Sequence, residues 1–407
     1  MRFKNKGRKI YKTKEKNYYG KSPVGKAFSV GLTILLLGGI GFIGYSVAEP
    51  IMKYTKKAGD SELPQPTTLP TEAPTDDSGN LLGAAESEQP ATEGSPLATA
   101  SDTEAVLGFS LNSTDLINRD VLRTALKRIP EDSDIQYVEV PLKVSGGKIY
   151  YASNTYTAQQ SGAIQGEMPL GEIVSAIVQD GYKPIANISI FDDNITPATF
   201  PDMGYITYND GSQWLDNAFE AGGKPWTSPF SQSAVAYNIS VIDEVSGSGF
   251  SKVICSDFTF PEFRESDIEI LGDSVVSSER YQAMTSAANT LYEHIINKGS
   301  AMYLEVSASE VLRGSEEVLQ PMTLKVNTLV VNIDLDSIRY GVFTGDTVYD
   351  FSGTAAENTE KMLDLISDDI SGFNIIVKIS GTNYNPSDIA KAAEAVREYG
   401  INSYIIK

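Results

Sequence analysis

The run KVICSDF at 252–258 is followed by SERYQAMTSAANTLYEHIIN at 278–297 and then by AMYLEV at 301–306. The outer two pieces are short and apolar almost throughout, which suits strands covered on both faces. The middle piece repeats apolar residues three and four apart and predicts a long helix with one buried side. A helix between two buried strands returns the chain to the start of the sheet, so the strands pair in parallel.

Working outward, the same alternation continues in both directions. Strand patterns occupy 106–111, 135–144, 184–191, 328–333, 375–380 and 402–406, with a hairpin from 135–144 through 148–152 over Gly146-Gly147. Helical spacing occupies 115–129, 170–179, 233–244, 359–366 and 386–399. About eight strands alternating with helices over roughly 300 residues predict an α/β fold, a (β/α)8 TIM-type barrel. An open doubly wound sheet is the alternative. No G-x-G-x-x-G follows the first strand and there is no P-loop, so nucleotide binding has no motif to support it.

Upstream of this domain, at 105–407, the chain changes character three times. Residues 1–26 carry ten Lys/Arg and one acidic residue. Residues 27–48, from Ala27 to Ala48, read AFSVGLTILLLGGIGFIGYSVA without a charge. As a helix this run spans about 33 Å, enough for a hydrocarbon core of about 30 Å. The lopsided basic flank puts the N-terminus in the cytoplasm and the rest outside the cell membrane. Ser46-Val47-Ala48 resembles a signal-peptidase site, but the apolar run is long for a signal core, so a retained anchor is the favoured reading. Residues 49–104 form a linker. Scattered Pro, Thr, Ser and Glu leave no apolar periodicity, which predicts an extended, disordered tether.

Composition narrows the chemistry. Of 407 residues, 41 % are hydrophobic, enough to build a core. Beyond residue 26 the chain has 23 basic against 52 acidic residues, a balance of −29, which repels nucleic acid and anionic polymers. A single cysteine, Cys255, permits no internal disulfide, and a single histidine, His294, excludes a zinc site built from several His or Cys. No metal and no cofactor are expected.

In a barrel of this type the site forms at the C-terminal ends of the strands. That rule selects Asp192, Asp193, Asp257, Glu305, Asp334 and Asp336, with Glu139 inside an earlier strand. A carboxylate pair across the mouth is what glycoside hydrolysis needs.

One stretch makes this specific. Residues 211–263 include GSQWLDN and KPWTSPFSQSAVAYNISVIDEVSGSGFSKVICSDFTFPEF. Trp214, Trp226, Pro229, Tyr237, Asn238, Gly249, Phe250, Asp257, Phe258, Phe260 and Pro261 fall into the register of a W, W-x-N-P, Y-N, G-F-x-x-I-x-x-D-Y-x-R-F-P pattern. Upstream, Lys143, Gly147 and Tyr151 match D-x-K…G-x-x-x-Y. In these residues the chain resembles a bacterial family of glycoside-hydrolase-like TIM-barrel domains, long catalogued as a domain of unknown function. The resemblance implies Asp257 as nucleophile or stabiliser and Glu305 as acid/base. Lys143 of that pattern, Asp193 and Asp334 from the strand-end rule, and the loop residues Trp214 and Trp226 are the substrate-binding candidates, the tryptophans either stacking on sugar rings or packing the loop against the barrel rim. The departures are Pro141 for the pattern's aspartate, Asn187 for an arginine, Thr259 for the arginine of R-F-P, and IDLDS in place of a Tyr-Pro-Ser-His segment. The expected function is a membrane-anchored extracellular protein acting on or binding a polysaccharide or cell-wall glycan. The alternative is a catalytically inactive carbohydrate-binding, envelope-structural or partner-binding module on the same fold.

Overall fold

The computed structural model describes residues 104–315 and 324–407. The expected basic tail, membrane helix and tether lie outside the described residues, apart from Glu104 at the end of the tether. Among the described residues no helix is long and apolar enough to cross a membrane.

Eight parallel strands close into a barrel: β1 (Leu107–Ser110), β2 (Tyr137–Val144), β3 (Lys183–Ser189), β4 (Lys252–Ser256), β5 (Ala301–Ser307), β6 (Thr328–Asp334), β7 (Asn374–Ser380) and β8 (Tyr404–Ile406). Each pairs in parallel with the next, and β1 pairs with both β2 and β8, so no edge is left open. Helices α1 (Arg119–Leu126), α2 (Leu170–Gln179), α3 (Gln232–Ser246), α4 (Ser278–Asn297), α5 (Ala308–Arg313), α6 (Ala355–Ile366) and α7 (Pro386–Glu398) follow the first seven strands in turn. Two antiparallel additions sit on this frame. Lys148–Ile149 folds back on the end of β2, and Val342–Thr344 pairs with Thr347–Tyr349 after β6.

The strands are buried on both sides. Outward-facing Val138, Val140, Ala186, Val253, Leu304, Val331 and Val377 pack against the helices. The inner face holds a separate apolar cluster of Val106, Tyr137, Ile185, Ile254, Tyr303, Val330, Ile376 and Ile405. Each such side chain contributes about 1.5–3 kcal/mol by leaving water. Gly108 sits on this floor between Tyr137 and Ile405, and a Cβ there would meet Ile405 Cγ1 at 2.9 Å. The barrel closes at β1 because that position has no side chain.

One expected helix is broken. The pattern at 115–129 becomes a 3-10 turn, Ser113–Leu116, and a separate α1. Asn118 separates them, because its side chain accepts from Val121 N at 3.0 Å and so starts a new helix there. Between β5 and β6, where no helix is expected, the chain forms the short α5.

Candidate active site

Two residues beyond the apolar floor, the same inner face turns polar on every strand from β2 to β7. Tyr137 gives way to Glu139, Ile185 to Asn187, Ile254 to Ser256, Tyr303 to Glu305, Val330 to Asn332, and Ile376 to Lys378. The period-2 alternation of strands points all six into the lumen.

These side chains form one network. Lys378 Nζ lies 2.6 Å from Glu139 Oε1 and 3.0 Å from Glu305 Oε2. The Asn187 amide donates to both Glu139 and Glu305, and its own carbonyl accepts from the Ser256 hydroxyl at 3.0 Å. Asn332 Nδ2 donates to Glu305 Oε1 at 2.8 Å. Glu139 lies at the bottom with its side chain 1 % exposed, while Glu305 and Lys378 are each 10 % exposed.

The two carboxyls are driven apart. Burial works against ionisation of Glu139, but the Lys378 ammonium and the Asn187 and Ser110 donors outweigh it and hold that carboxyl below the usual range. Burial pushes the Glu305 carboxyl up, and the charges of Glu139 and Asp257 add to the rise against the pull of Lys378.

Asp257 follows β4 at the same end. It is the non-glycine residue with positive φ among the described residues, at 57°. Such a conformation costs an L-residue roughly 1–2 kcal/mol, with aspartate among the types that tolerate it best. Its carbonyl accepts from Phe191 N at 3.1 Å, which ties the turn to the end of β3. Burial pushes its carboxyl up; Asp192 adds to this, while the Ser189 hydroxyl, Lys378 and Lys143 oppose it. The charge of Asp257 thus reaches Glu305, and both acids sense Lys378.

The remaining candidates have other occupations. Lys143 and Asp193 pair at 3.2 Å with both side chains fully buried. Lys143 also donates to Ser189 O at 2.9 Å and Asn238 Oδ1 at 3.2 Å, and Asp193 accepts from Ile195 N, Thr196 N and the Thr196 hydroxyl. A Cβ on Gly147 would meet Asp193 Oδ1 at 2.2 Å, which is why that motif position is glycine. The substrate-binding expectation for Lys143 and Asp193 is therefore corrected: the pair clamps the connection after β3 to the barrel and has no exposed atoms for a ligand. Trp214 is corrected likewise. It is buried against Tyr205 and Phe263, with ring centroids at 5.8 and 5.2 Å. Trp226 is half-buried and donates from Nε1 to Asp216 Oδ2 at 2.9 Å. Asp334 ends β6 exposed, and its carboxylate accepts from Asp336 N at 3.0 Å to cap the short helix Leu335–Ile338. Cys255 is buried on the outer face of β4, and His294 pairs with Asp243 at 2.8 Å on the helix surface.

The network members that sequence reasoning did not single out are Lys378, Asn332 and Ser256. The available signal for Lys378 was a lone lysine inside IIVKIS, two residues from Ile376 on a strand that is otherwise apolar. Among the described residues no cluster of His, Cys, Asp and Glu is arranged to hold a metal. A cavity of about 580 Å³, lined by Tyr137, Tyr182, Lys183 and Lys252 among others, lies at the opposite end, where the strands begin. The titrating groups are at the mouth, so the foot cavity is set apart from them.

Exposed aromatics favour the mouth side. Tyr156, Tyr208, Phe219, Phe230, Tyr340 and Phe343 are all exposed, and all stand in connections that leave the C-terminal ends of strands.

A family model described as "Putative glycosyl hydrolase domain" matches residues 111–321. No curated protein matches the chain. Among solved structures, the glycoside hydrolase domain of PgaB (BpsB) from Bordetella bronchiseptica is similar at 11 % identity, with 75 % of this chain and 93 % of that one covered and a TM-score of 0.51. A hypothetical protein from Ruminiclostridium thermocellum is 16 % identical over 48 % of this chain and 96 % of that one, at a TM-score of 0.40. The glycoside hydrolase domain of PelA from Pseudomonas aeruginosa is 12 % identical over 67 % and 94 %, at 0.38. At such identities the likeness to PgaB concerns the fold.

Proposed function

The chain belongs to the glycosyl hydrolase domain family matched above, and on that premise we propose that its barrel mouth cleaves a polysaccharide with Glu305 as acid/base and Asp257 as nucleophile or stabiliser. The observation that carries this reading is the placement of two carboxyls at the C-terminal ends of the neighbouring strands β4 and β5, both pushed up by burial, with an anionic Glu139 below. A buried carboxyl that retains its proton can protonate a leaving glycosidic oxygen. The exposed aromatics around the mouth supply flat apolar faces for sugar rings, which suits a polymer better than a small solute. The domain is held outside the cell on a tether, anchored by residues 27–48 with residues 1–26 inside.

A second reading has its own support. Glu305 already accepts from Lys378, Asn187 and Asn332, a full set of donors that suits a glycan-binding module without turnover. Incubating the full-length chain in detergent with a panel of polysaccharides, beside Glu305→Gln and Asp257→Asn, separates the two. The hydrolase reading expects new reducing ends from the parent and a fall of about 100-fold or more in each variant. Equal release by all three proteins removes the assigned roles. Binding without release in any of them supports the module instead.

A further inference from the structure

Resting on the reading of the mouth just given, we propose that Lys378 is the positioning residue that divides the protons of the barrel lumen, keeping Glu139 a standing anion and leaving Glu305 the carboxyl that carries the mobile proton. The geometry is a count of charges. One ammonium stands between two carboxylates, at 2.6 Å from Glu139 and 3.0 Å from Glu305, so the trio carries one negative charge too many when both acids are ionised. Asn187 donates to both acids, and its carbonyl accepts from the Ser256 hydroxyl. In this orientation its amide nitrogen, and not its oxygen, faces both acids.

The surplus proton belongs on the acid nearer the exterior. Glu139 has the shorter contact with Lys378 and is sealed beneath it; Glu305 has the longer contact and faces the mouth. Asp257 adds a third carboxyl on the mouth side, with Asp192 beyond it, and both raise the cost of ionising their neighbours. The charged groups facing the trio from β2, β4, β5 and β7 are thus Glu139, Asp257, Glu305 and Lys378, with Lys143 and Asp192 acting on Asp257. In the hydrolytic step Glu305 gives its proton to the glycosidic oxygen as the carbon–oxygen bond breaks. It is reprotonated from the water whose oxygen ends on the sugar. Lys378 touches neither reacting atom and acts through Glu305.

The test compares full-length parent, Lys378→Met, Lys378→Arg and the double variant Lys378→Met/Glu139→Gln. Two readouts are taken: the pH profile of kcat, and carboxyl titration by ¹³C NMR with labelled glutamate, assigned through Glu139→Gln and Glu305→Gln. Removing the ammonium withdraws a stabiliser of every nearby anion. Both limbs of the profile should then move to higher pH in Lys378→Met, with kcat down about tenfold or more and KM little changed. Lys378→Arg should keep the parental limbs, and the double variant, which deletes one charge of each sign, should return them most of the way. In the NMR readout the parent should show Glu139 titrating below the ordinary glutamate range and Glu305 above it, with both displaced upward in Lys378→Met. If the single variant does not fold, the parent, arginine and double variants still decide the matter by titration. Parental titration of both acids in the ordinary range, or limbs that ignore Lys378, overturns the proposal. A parent that hydrolyses nothing overturns the hydrolase reading, while its titrations still judge Lys378.

Discussion

Two buried lysines stand on the same barrel, Lys143 near the end of β2 facing outward to α3 and Lys378 on β7 facing the lumen, and they differ in what surrounds them. Lys143 meets one carboxylate, Asp193, with two carbonyls and an amide oxygen, and neither partner of that ion pair is exposed. Lys378 meets two carboxylates and is open to the mouth. The first arrangement is balanced in charge and closed, which suits a clamp. The second has one anion in excess and an outlet, which suits chemistry. A buried charge alone does not mark a function; the imbalance around it does.

The clamp should break hardest. Lys143→Met leaves Asp193 as a buried, unpaired anion and should lower stability by about 3–5 kcal/mol in urea unfolding. A loss below about 1 kcal/mol would mean that Asp193 finds another partner or a proton. The mouth should respond in the opposite sense. Glu305→Gln should abolish turnover yet raise stability by about 1 kcal/mol at neutral pH, because it removes a carboxyl that the fold prefers to keep protonated. The sign follows from the direction of its shift. A folded-state value raised above the unfolded one makes ionised Glu305 costly at pH above the raised value. The cost fades as pH falls below the unfolded value, so the two proteins should then converge in stability. Equal stability at all pH would contradict the assignment of a raised carboxyl.

Asp257 offers a smaller version of the same contrast. Asp257→Gly relieves the left-handed backbone and should stabilise the fold by about 1 kcal/mol while removing activity; loss of both would make the residue structural. The smallest effect belongs to Asp336, half-buried at the rim. Hydrogen bonds from Thr382 and Asn383 lower its carboxyl to about 2. A depressed carboxyl contributes stability above its unfolded value and loses it as pH falls through the folded one. The Thr382 amide should therefore stay bonded through mild acid and shift only as pH approaches about 2, followed by NMR.

How much of this was legible beforehand depends on how local the deciding interaction is. The eight strands were legible because their apolar runs are short, β-branched and separated by helical spacing, and α2 and α4 fell at the residues where periodicity put them. The helix expected at 115–129 failed at Asn118, where a side-chain cap overrode continuous apolar spacing. At the mouth, strand-end position selects Asp257 and Glu305 together with Asp192, Asp193, Asp334 and Asp336. It could not distinguish Asp193 from them, since its burial depends on Lys143, fifty residues earlier in the chain. Nor did it reach Lys378, whose partners Glu139 and Glu305 are brought to it only by closure of the barrel. Residue type leaves Trp214 open to sugar stacking or rim packing, and its burial depends on Tyr205 and Phe263 in the surrounding loops.

The barrel has a foot with a cavity and a mouth with a charge imbalance, and the proposed glycan site is the mouth. Titrating the isotope-labelled chain with polysaccharide fragments, and following the signals of both ends by NMR, tests that assignment most directly. Signals of Asp257, Glu305 and Asn332 should move while those of Tyr137, Tyr182 and Lys183 stay still. Movement confined to the foot, or none at either end with any fragment, would contradict it.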